Sequence, residues 1–229
     1  MIQLSNISHY IETVDDRLTL LDNIQLEINP GQSIAITGSS GSGKTTLLGM
    51  MAGLDVPSQG SISIDGCRLT DMNEDQRALF RAKNVGFIFQ SFHLLEGLTA
   101  LENVLLPLEL AGQKALTAKR EATAILQQVG LMQRLNHYPS QLSGGEQQRV
   151  AIARAFAAKP RYLFADEPTG NLDQHTGAKI IKLLFDMNRE HQSTLILVTH
   201  EQRLANFCQR HLVIESGRLR EQAADRAGE

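Results

Sequence analysis

The chain has 229 residues, enough for one large domain or two small ones with a substantial buried core. Hydrophobic residues make up 42% and charged residues 21%, a globular balance that excludes a disordered or fibrous chain. The net charge of -3 argues against binding through a general basic surface, so no nucleic-acid partner is predicted. Cys67 and Cys208 are too few for a disulfide framework and lack metal-site spacing, which suits a reducing compartment.

Membrane-spanning and secretion signals do not stand out in the sequence. No segment approaches the roughly 18 consecutive apolar residues that a spanning helix needs, and the first residues lack a signal-peptide pattern. We therefore expect a soluble, cytoplasmic chain that acts at a membrane only where other chains hold it there.

The first third of the chain reads mainly as strands. Alternating apolar and polar residues predict strands at 24–28 and 62–64. A short apolar strand at 33–37 runs into a glycine-rich stretch, and helical character follows at 45–52. Another apolar strand is predicted at 85–89.

Helices dominate residues 91–159, and strands return afterwards. The predicted helices are 99–111, 117–129, 146–158 and 177–189; the predicted strands are 162–165 and 194–198, with a hairpin at 212–219. Residues from 221 onward are expected to form a polar tail. Strand–helix–strand units around an inserted helical block indicate an α/β fold with a mostly parallel core sheet.

A glycine-rich segment joins the strand at 33–37 to the following helix. Residues 38–45 satisfy G-x-x-x-x-G-K-[ST], in which backbone N–H groups and the helix dipole converge on phosphate oxygens. Lys44 would reach the β- and γ-phosphates, and the Thr45 hydroxyl would ligate Mg²⁺. The flanking strand and helix favour this interpretation over a flexible Gly/Ser loop. The predicted nucleotide-binding residues are Gly38, Ser39, Ser40, Gly41, Ser42, Gly43, Lys44, Thr45 and Thr46.

Two acids end the apolar strand at 162–165. Asp166 would hold Mg²⁺ through water, and Glu167 would polarise the attacking water. Two solvated acids at a strand end are the alternative, which the nearby phosphate-loop pattern disfavours.

A second candidate anion-binding segment is Leu142-Ser143-Gly144-Gly145-Glu146, directly before a predicted helix. One nucleotide does not need two such segments, but a head-to-tail homodimer does, since each loop would then cover the γ-phosphate held by the other subunit. A plain helix cap with Ser143 as the N-cap residue is the alternative.

Together these motifs resemble the nucleotide-binding domain of ATP-binding cassette (ABC) transporters, in the family's order and over nearly the whole chain. The resemblance implies that Gln90 is the Q-loop glutamine, a metal ligand and catalytic residue. It also implies that Asn171-Leu172-Asp173 is the D-loop and that His200 is the catalytic switch histidine. The implied adenine-stacking aromatic is Tyr10, with a half-buried packing ring as the alternative.

The resemblance further implies a P-loop NTPase (RecA-like) core with an N-terminal antiparallel β subdomain and an inserted helical subdomain. A single nucleotide-binding domain would span 1–229, with core and β subdomain at 1–90 and 159–220, helical signature subdomain at 91–158 and tail at 221–229. Its cofactors would be ATP and Mg²⁺, bound to Thr45, Gln90 and Asp166, with ATP sandwiched between two subunits of a homodimer.

Residues 89–95, 99–104 and 166–173 resemble the subgroup that contains LolD, MacB and FtsE. With no fused membrane segment, the layout is closer to LolD and to stand-alone relatives such as YbbA. The implied function is an ATPase subunit at the cytoplasmic face of the inner membrane. It would power a separate permease with a large extracytoplasmic domain, which exports lipoproteins, drugs or peptides or transmits force. A cell-division-linked regulatory scaffold is the alternative. A soluble ATPase of DNA repair or translation is disfavoured, because those relatives usually carry coiled-coil insertions or two cassettes.

The segment after Gln90 is the predicted docking surface for the permease. Phe92, Leu94 and Leu95 are expected to form an exposed apolar patch that receives a cytoplasmic helix, whereas Leu98 and Leu101 are expected in the local core.

Overall fold

The computed structural model describes residues 1–12 and 17–222. The chain divides into two compact units, one formed by residues 1–79 and from 194 onward, the other by residues 80–193. The predicted helical block at 91–158 lies wholly within the second unit. Among the described residues, no helix combines the length and apolarity that crossing a bilayer requires.

The first unit contains an antiparallel sheet with the strand order β2-β1-β4-β5. The strands are β1 (Ile2–Glu12), β2 (Arg17–Ile28), β4 (Gln59–Ile64) and β5 (Cys67–Arg68). Alternate residues of β1, β2 and β4 are buried, among them Ile2, Ile28 and Ile64, which lie side by side in the register. One apolar face therefore holds this sheet on the core, as the alternation predicted.

Strand β3 (Ser33–Thr37) lies between two parallel neighbours in the first unit. These neighbours are β8 (Thr194–Val198) and β9 (Arg210–Glu215), and β10 (Arg218–Gln222) pairs antiparallel with β9. Strand β8 is buried along its whole length, as expected of a strand covered on both faces. Helix α1 (Lys44–Met51) follows β3, and the short helix α7 (Gln202–Ala205) follows β8.

The second unit pairs two parallel strands with a set of helices. Strands β6 (Val85–Ile88) and β7 (Tyr162–Asp166) run side by side. The helices are α3 (Ala100–Leu110), α4 (Ala115–Gln128), α5 (Gly144–Ala157) and α6 (Gln174–His191). Helix α5 passes so close to β6 that a Cβ on Gly86 would lie 2.4 Å from the carbonyl oxygen of Ala155. Glycine is therefore required at this crossing.

Several predicted elements differ from the structure. Helix α2 (Glu74–Asn84) was not predicted: its sequence is predominantly polar, and none of its residues is buried. Helix α5 begins at Gly144 rather than 146, because Ser143 caps it. Residues 221 and 222 belong to β10 rather than to a tail, and 223–229 lie outside the described residues.

The predicted apolar patch after Gln90 requires one correction. Leu94 is buried, whereas Leu95 is exposed and Phe92 is half-buried. Left-handed backbone at Phe92 (φ 60) and His93 (φ 48) turns the chain, and the buried Asn103 side chain pairs with both backbone groups of Leu95. Leu98 and Leu101 are half-buried.

Candidate functional site

The glycine loop of the first unit connects β3 to α1, as the sequence predicted. Gly41 (φ +76) and Gly43 (φ +96) adopt left-handed backbone conformations that side chains disfavour. A Cβ on Gly38 would lie 2.4 Å from the carbonyl oxygen of Ile214, and one on Gly43 would lie 2.9 Å from Leu21. The loop is therefore fixed in a shape that only glycines permit at these positions.

Lys44 is the first residue of α1, and only 7% of it is exposed. Its Nζ donates to the carbonyl oxygens of Gly38 (3.0 Å) and Ser39 (2.7 Å), both in its own loop. These carbonyl oxygens accept hydrogen bonds from the Lys44 ammonium but do not neutralise its charge. A net positive charge therefore remains beside the N-terminus of α1. Such an arrangement attracts an anion.

The polar groups of the loop fit a nucleoside triphosphate. The hydroxyl of Ser42 is buried without a hydrogen-bond partner in the described structure, and the side chain of Thr45 is exposed at the start of α1. The predicted metal ligands Thr45, Gln90 and Asp166 offer hydroxyl, amide and carboxylate oxygens, the hard donors that Mg²⁺ takes in proteins. Both ATP and Mg²⁺ therefore match the chemistry of the donors present.

His200 lies two residues after the end of β8 in the first unit. It lines an open cavity of about 540 Å³ together with Thr37 and Gly38, at the start of the glycine loop. The fold thus places the predicted switch histidine beside the predicted phosphate loop.

Tyr10 lies near the end of β1 and is half-buried. The guanidinium of Arg17, the first residue of β2, lies over its ring, with 3.0 Å between Cζ and the ring centroid. An exposed aromatic face that accepts a flat cation is also a surface on which a purine stacks.

The two predicted acids lie at the end of β7 in the second unit. Asp166 is the last residue of the strand, and Glu167 follows it with a left-handed backbone (φ 43). The amide of Gly170 donates to the carbonyl of Glu167 at 3.0 Å, which closes a tight turn after the acid. Left-handed backbone at a non-glycine residue is strained, and the surrounding contacts must hold it.

Gln90 is held against the segment that follows this turn. The Nδ2 of Asn171 donates to the carbonyl of Gln90 at 3.0 Å. A Cβ on Gly170 would lie 2.9 Å from Nε2 of Gln90. The structure therefore brings together Gln90, the predicted D-loop and the turn after Glu167.

Ser143 is the N-cap residue of α5, so the helix-cap alternative describes its local role. Its hydroxyl accepts from the amide of Glu146 (3.3 Å), while Oε2 of Glu146 accepts from both the amide and the hydroxyl of Ser143. Arg134 donates to the other oxygen of Glu146 at 3.0 Å. The Ser143 amide first, and then Arg134, lower the pKa of Glu146 from its ordinary 4.5 to about 2.

The first turn of α5 packs tightly on the first turn of α6 and on the segment before it. A Cβ on Gly145 would lie 2.6 Å from Cγ2 of Thr176, and one on Gly144 would lie 3.4 Å from Leu172. Asp173 caps α6 by accepting from the amides of His175 and Thr176, both at 3.0 Å. Hydrogen bonds from Thr176 are the main cause that lowers the pKa of Asp173.

Three residues of these regions were not predicted from the sequence: Arg17, Gln148 and Arg154. Arg154 of α5 donates to the carbonyl oxygens of His93 (2.6 Å) and Phe92 (2.9 Å), and burial lowers its pKa. The positions of Arg154 and Gln148 in α5 did not indicate their roles, because they bind backbone carbonyl groups that are distant in sequence.

Comparison with known proteins adds independent evidence. The family model described as ABC transporter matches residues 21–170. The chain is 50% identical to an uncharacterized ABC transporter ATP-binding protein, YbbA, of Escherichia coli K12, over 97% of this chain and 98% of that one. It is 43% identical to the lipoprotein-releasing system ATP-binding protein LolD of Xanthomonas oryzae, over 90% of this chain and 85% of that one.

A solved structure shares the fold. This structure is the ATP-binding cassette MJ0796, described as a dimer in a post-hydrolysis state bound to ADP and Pi. The two chains are 39% identical with a TM-score of 0.90, over 97% of this chain and 98% of that one. The match confirms the predicted mixed α/β fold with an antiparallel sheet and helical inserts. The chain therefore belongs to the ABC transporter family, as a LolD-like ATP-binding subunit.

Proposed function

We propose that the chain is an ATPase that hydrolyses Mg²⁺-ATP to drive a separate membrane permease. The observation that carries this proposal is the buried Lys44 ammonium, held by loop carbonyls at the N-terminus of α1. No carboxylate among the residues that the structure describes pairs with this ammonium. A buried cation without such a partner is costly, and a triphosphate supplies the missing charge.

The first unit would hold the nucleotide. Residues 38–46 bind its phosphates, with Thr45 as a ligand of Mg²⁺. His200, which shares a cavity with Gly38, contacts the γ-phosphate. Tyr10 stacks on the adenine, a role supported by the access of Arg17 to its ring.

The second unit would supply the hydrolytic groups. Asp166 would hold Mg²⁺, Glu167 would take a proton from the attacking water, and Gln90 would contact both the metal and that water. The contacts of Gln90 with Gly170 and Asn171 support this joint assignment, because they tie it to the turn after Glu167.

The active unit would be a homodimer that sandwiches two ATP molecules. Ser143, Gly144 and Gly145 then contact the nucleotide of the opposite subunit. The exposed Ser143 lies at a helix N-terminus, and Arg134 offsets the charge of the nearby Glu146, so an approaching phosphate meets less repulsion. The dimeric state of MJ0796 supports this arrangement.

The permease would dock in an apolar cavity of the second unit, of about 270 Å³. Its walls include Phe87, Phe89, Leu106 and Leu110, and Leu110 is 69% exposed. Arg154 lines the same cavity and donates hydrogen bonds to the carbonyl oxygens of Phe92 and His93. A cytoplasmic helix of the permease is the proposed occupant, which would hold the chain at the cytoplasmic face of the inner membrane.

The relative LolD is the ATP-binding protein of a lipoprotein-releasing system, which supports a proposed permease that exports lipoproteins. On the sequence resemblance alone, we extend the proposal to a permease with a large extracytoplasmic domain that exports drugs or peptides. The second candidate is a cell-division-linked ATPase that acts as a regulatory scaffold. Cargo release that depends on ATP hydrolysis, in vesicles containing the co-purified permease, would favour transport over a scaffold.

Hydrolysis itself is testable on the purified chain. Phosphate release is expected with ATP and Mg²⁺ and is expected to stop when EDTA removes the metal. Lys44→Ala should lose ATP affinity and hydrolysis, whereas Lys179→Ala, on an exposed position of α6, should keep both. Phosphate release by Lys44→Ala at the wild-type rate would overturn the proposal.

A further inference from the structure

Gln148 is a fully buried polar residue in the second turn of α5. Its Nε2 donates to the carbonyl oxygen of Pro168 at 2.7 Å, and this short hydrogen bond is buried. Its Oε1 is buried without a hydrogen-bond partner among the described residues. The side chain is therefore held by one strong bond, at the expense of one unpaired oxygen.

The bond of Gln148 fixes the backbone next to the proposed general base. Pro168 directly follows Glu167, and the proline ring already restricts its own φ. Anchoring the Pro168 carbonyl therefore restrains the remaining torsion of that residue. The left-handed backbone of Glu167 needs such restraint, because an unrestrained chain would relax away from φ 43.

The role of Gln148 is tied to the Pro168 carbonyl. An apolar side chain of similar size would avoid the unpaired Oε1 but would leave this carbonyl without its donor. The amide therefore holds the backbone of the residue after Glu167, which favours a role in positioning the acid.

The same N-terminal end of α5 carries the segment proposed to contact the opposite nucleotide. Gly145 and Gln148 are three residues apart, within one turn of the same helix. Gly145 in turn packs on Thr176 without room for a methyl group. A shift of the helix N-terminus would therefore move Gln148 and, with it, the Pro168 carbonyl.

We propose that Gln148 is a positioning residue for Glu167, and that it links contact of Ser143 and Gly145 with the opposite nucleotide to the placement of the base. This inference rests on the proposed function. Each active site of the dimer would then sense, through its own α5, whether the other nucleotide is bound.

The test is Gln148→Met, which keeps the volume and removes the hydrogen bond. Because misplacement of a catalytic group by about an ångström lowers rates strongly, kcat for ATP hydrolysis should fall by at least about tenfold. The KM for ATP should stay within about twofold, since the phosphate loop is unchanged. The matched control is Gln147→Met, which removes bonds from the same helix to the carbonyls of Pro139 and Leu142 and should keep kcat within about twofold.

A second readout separates positioning from folding. In a Glu167→Gln background, adding Gln148→Met should leave ATP-dependent dimerisation unchanged, measured by light scattering. A Gln148→Met variant with wild-type kcat overturns the inference. So does one that loses dimerisation and kcat together, because the role would then be structural. If Glu167→Gln itself hydrolyses ATP at the wild-type rate, Glu167 is not the general base and the proposed function is wrong. That outcome differs from a Gln148→Met variant with wild-type kcat, which overturns only the role of Gln148.

Discussion

The guanidinium of Arg17 covers the ring of Tyr10, with 3.0 Å between Cζ and the ring centroid. Arg17 is exposed, and its guanidinium occupies one face of the ring. If adenine stacks on that face, nucleotide binding has to displace the arginine.

Arg17→Ala is expected to raise the affinity for ATP by about two- to fivefold, because an exposed cation–π contact contributes about 0.5–1 kcal/mol. Tyr10→Ala should weaken ATP binding, and adding Arg17→Ala to it should then have no effect. Isothermal titration calorimetry checks both, with inorganic triphosphate as the ligand that lacks a base. A loss of ATP affinity in Arg17→Ala would show that the arginine assists stacking.

The low pKa of Glu146 predicts a pH-dependent contribution to stability. Since this carboxyl titrates near 2 in the folded chain and near 4.5 when unfolded, its stabilising effect is complete above pH 4.5. The effect is lost as the pH falls from 4.5 towards 2. Glu146→Gln should therefore be less stable than wild type at pH 7, by up to about 1 kcal/mol, and the difference should vanish at low pH.

Thermal melting across pH measures this difference. The control is Glu102→Gln, because Glu102 forms the same capping box with Thr99 but pairs with no arginine in the described structure. A Glu146→Gln curve parallel to wild type down to pH 2 would contradict the assignment.

Gly144→Asp tests the proposed ATP sandwich. A Cβ at Gly144 meets Leu172 only at 3.4 Å, whereas one at Gly145 would clash with Thr176 at 2.6 Å, so Gly144 is the better site for an added charge. The carboxylate should repel the opposite γ-phosphate and abolish ATP-dependent dimerisation and hydrolysis while each monomer still binds ATP. Light scattering and calorimetry separate these effects.

Gly97→Asp adds the same charge in an open loop and should dimerise normally. Dimerisation of Gly144→Asp at the wild-type ATP concentration would refute the sandwich.

Leu110→Asp tests the docking cavity, and Leu95→Asp tests the exposed leucine of the segment after Gln90. Both side chains are exposed, so the folded chain should tolerate the charge, whereas an apolar helix of the permease should not. Co-purification with the permease and its stimulation of hydrolysis should fall at least about tenfold, with basal hydrolysis unchanged. Leu116→Asp is the control, because Leu116 is 87% exposed on α4 and does not line this cavity. Wild-type co-purification of Leu110→Asp would place the docking surface elsewhere.

Local patterns predicted much of the fold because they depend on neighbours in sequence. The strand, glycine loop and helix around Lys44 follow from apolar periodicity and glycine spacing, and the structure has them within one residue of the predicted bounds. Alternation likewise predicted the second half of β4, at 62–64, and the predicted strand at 194–198 is the buried β8. Helix α2 escaped prediction because its sequence is predominantly polar and none of its residues is buried.

Local sequence patterns could not predict the contacts that organise the candidate site. The sequence predicted an exposed side chain for Leu94, but the left-handed turn at Phe92 and His93 buries it. Gln148 meets Pro168 across 20 residues, and Arg154 meets Phe92 across 62. Such pairs depend on tertiary packing, which spacing in one sequence does not encode.

The central claim, that Glu167 is the general base of an ATPase, is tested most directly by steady-state phosphate release from Glu167→Gln protein. The amide cannot accept the proton of the attacking water, so kcat should fall by at least about 100-fold while ATP affinity remains that of the wild type. Glu109→Gln, at an exposed position of α3, is the matched control and should hydrolyse normally. Phosphate release by Glu167→Gln at the wild-type rate would contradict the account.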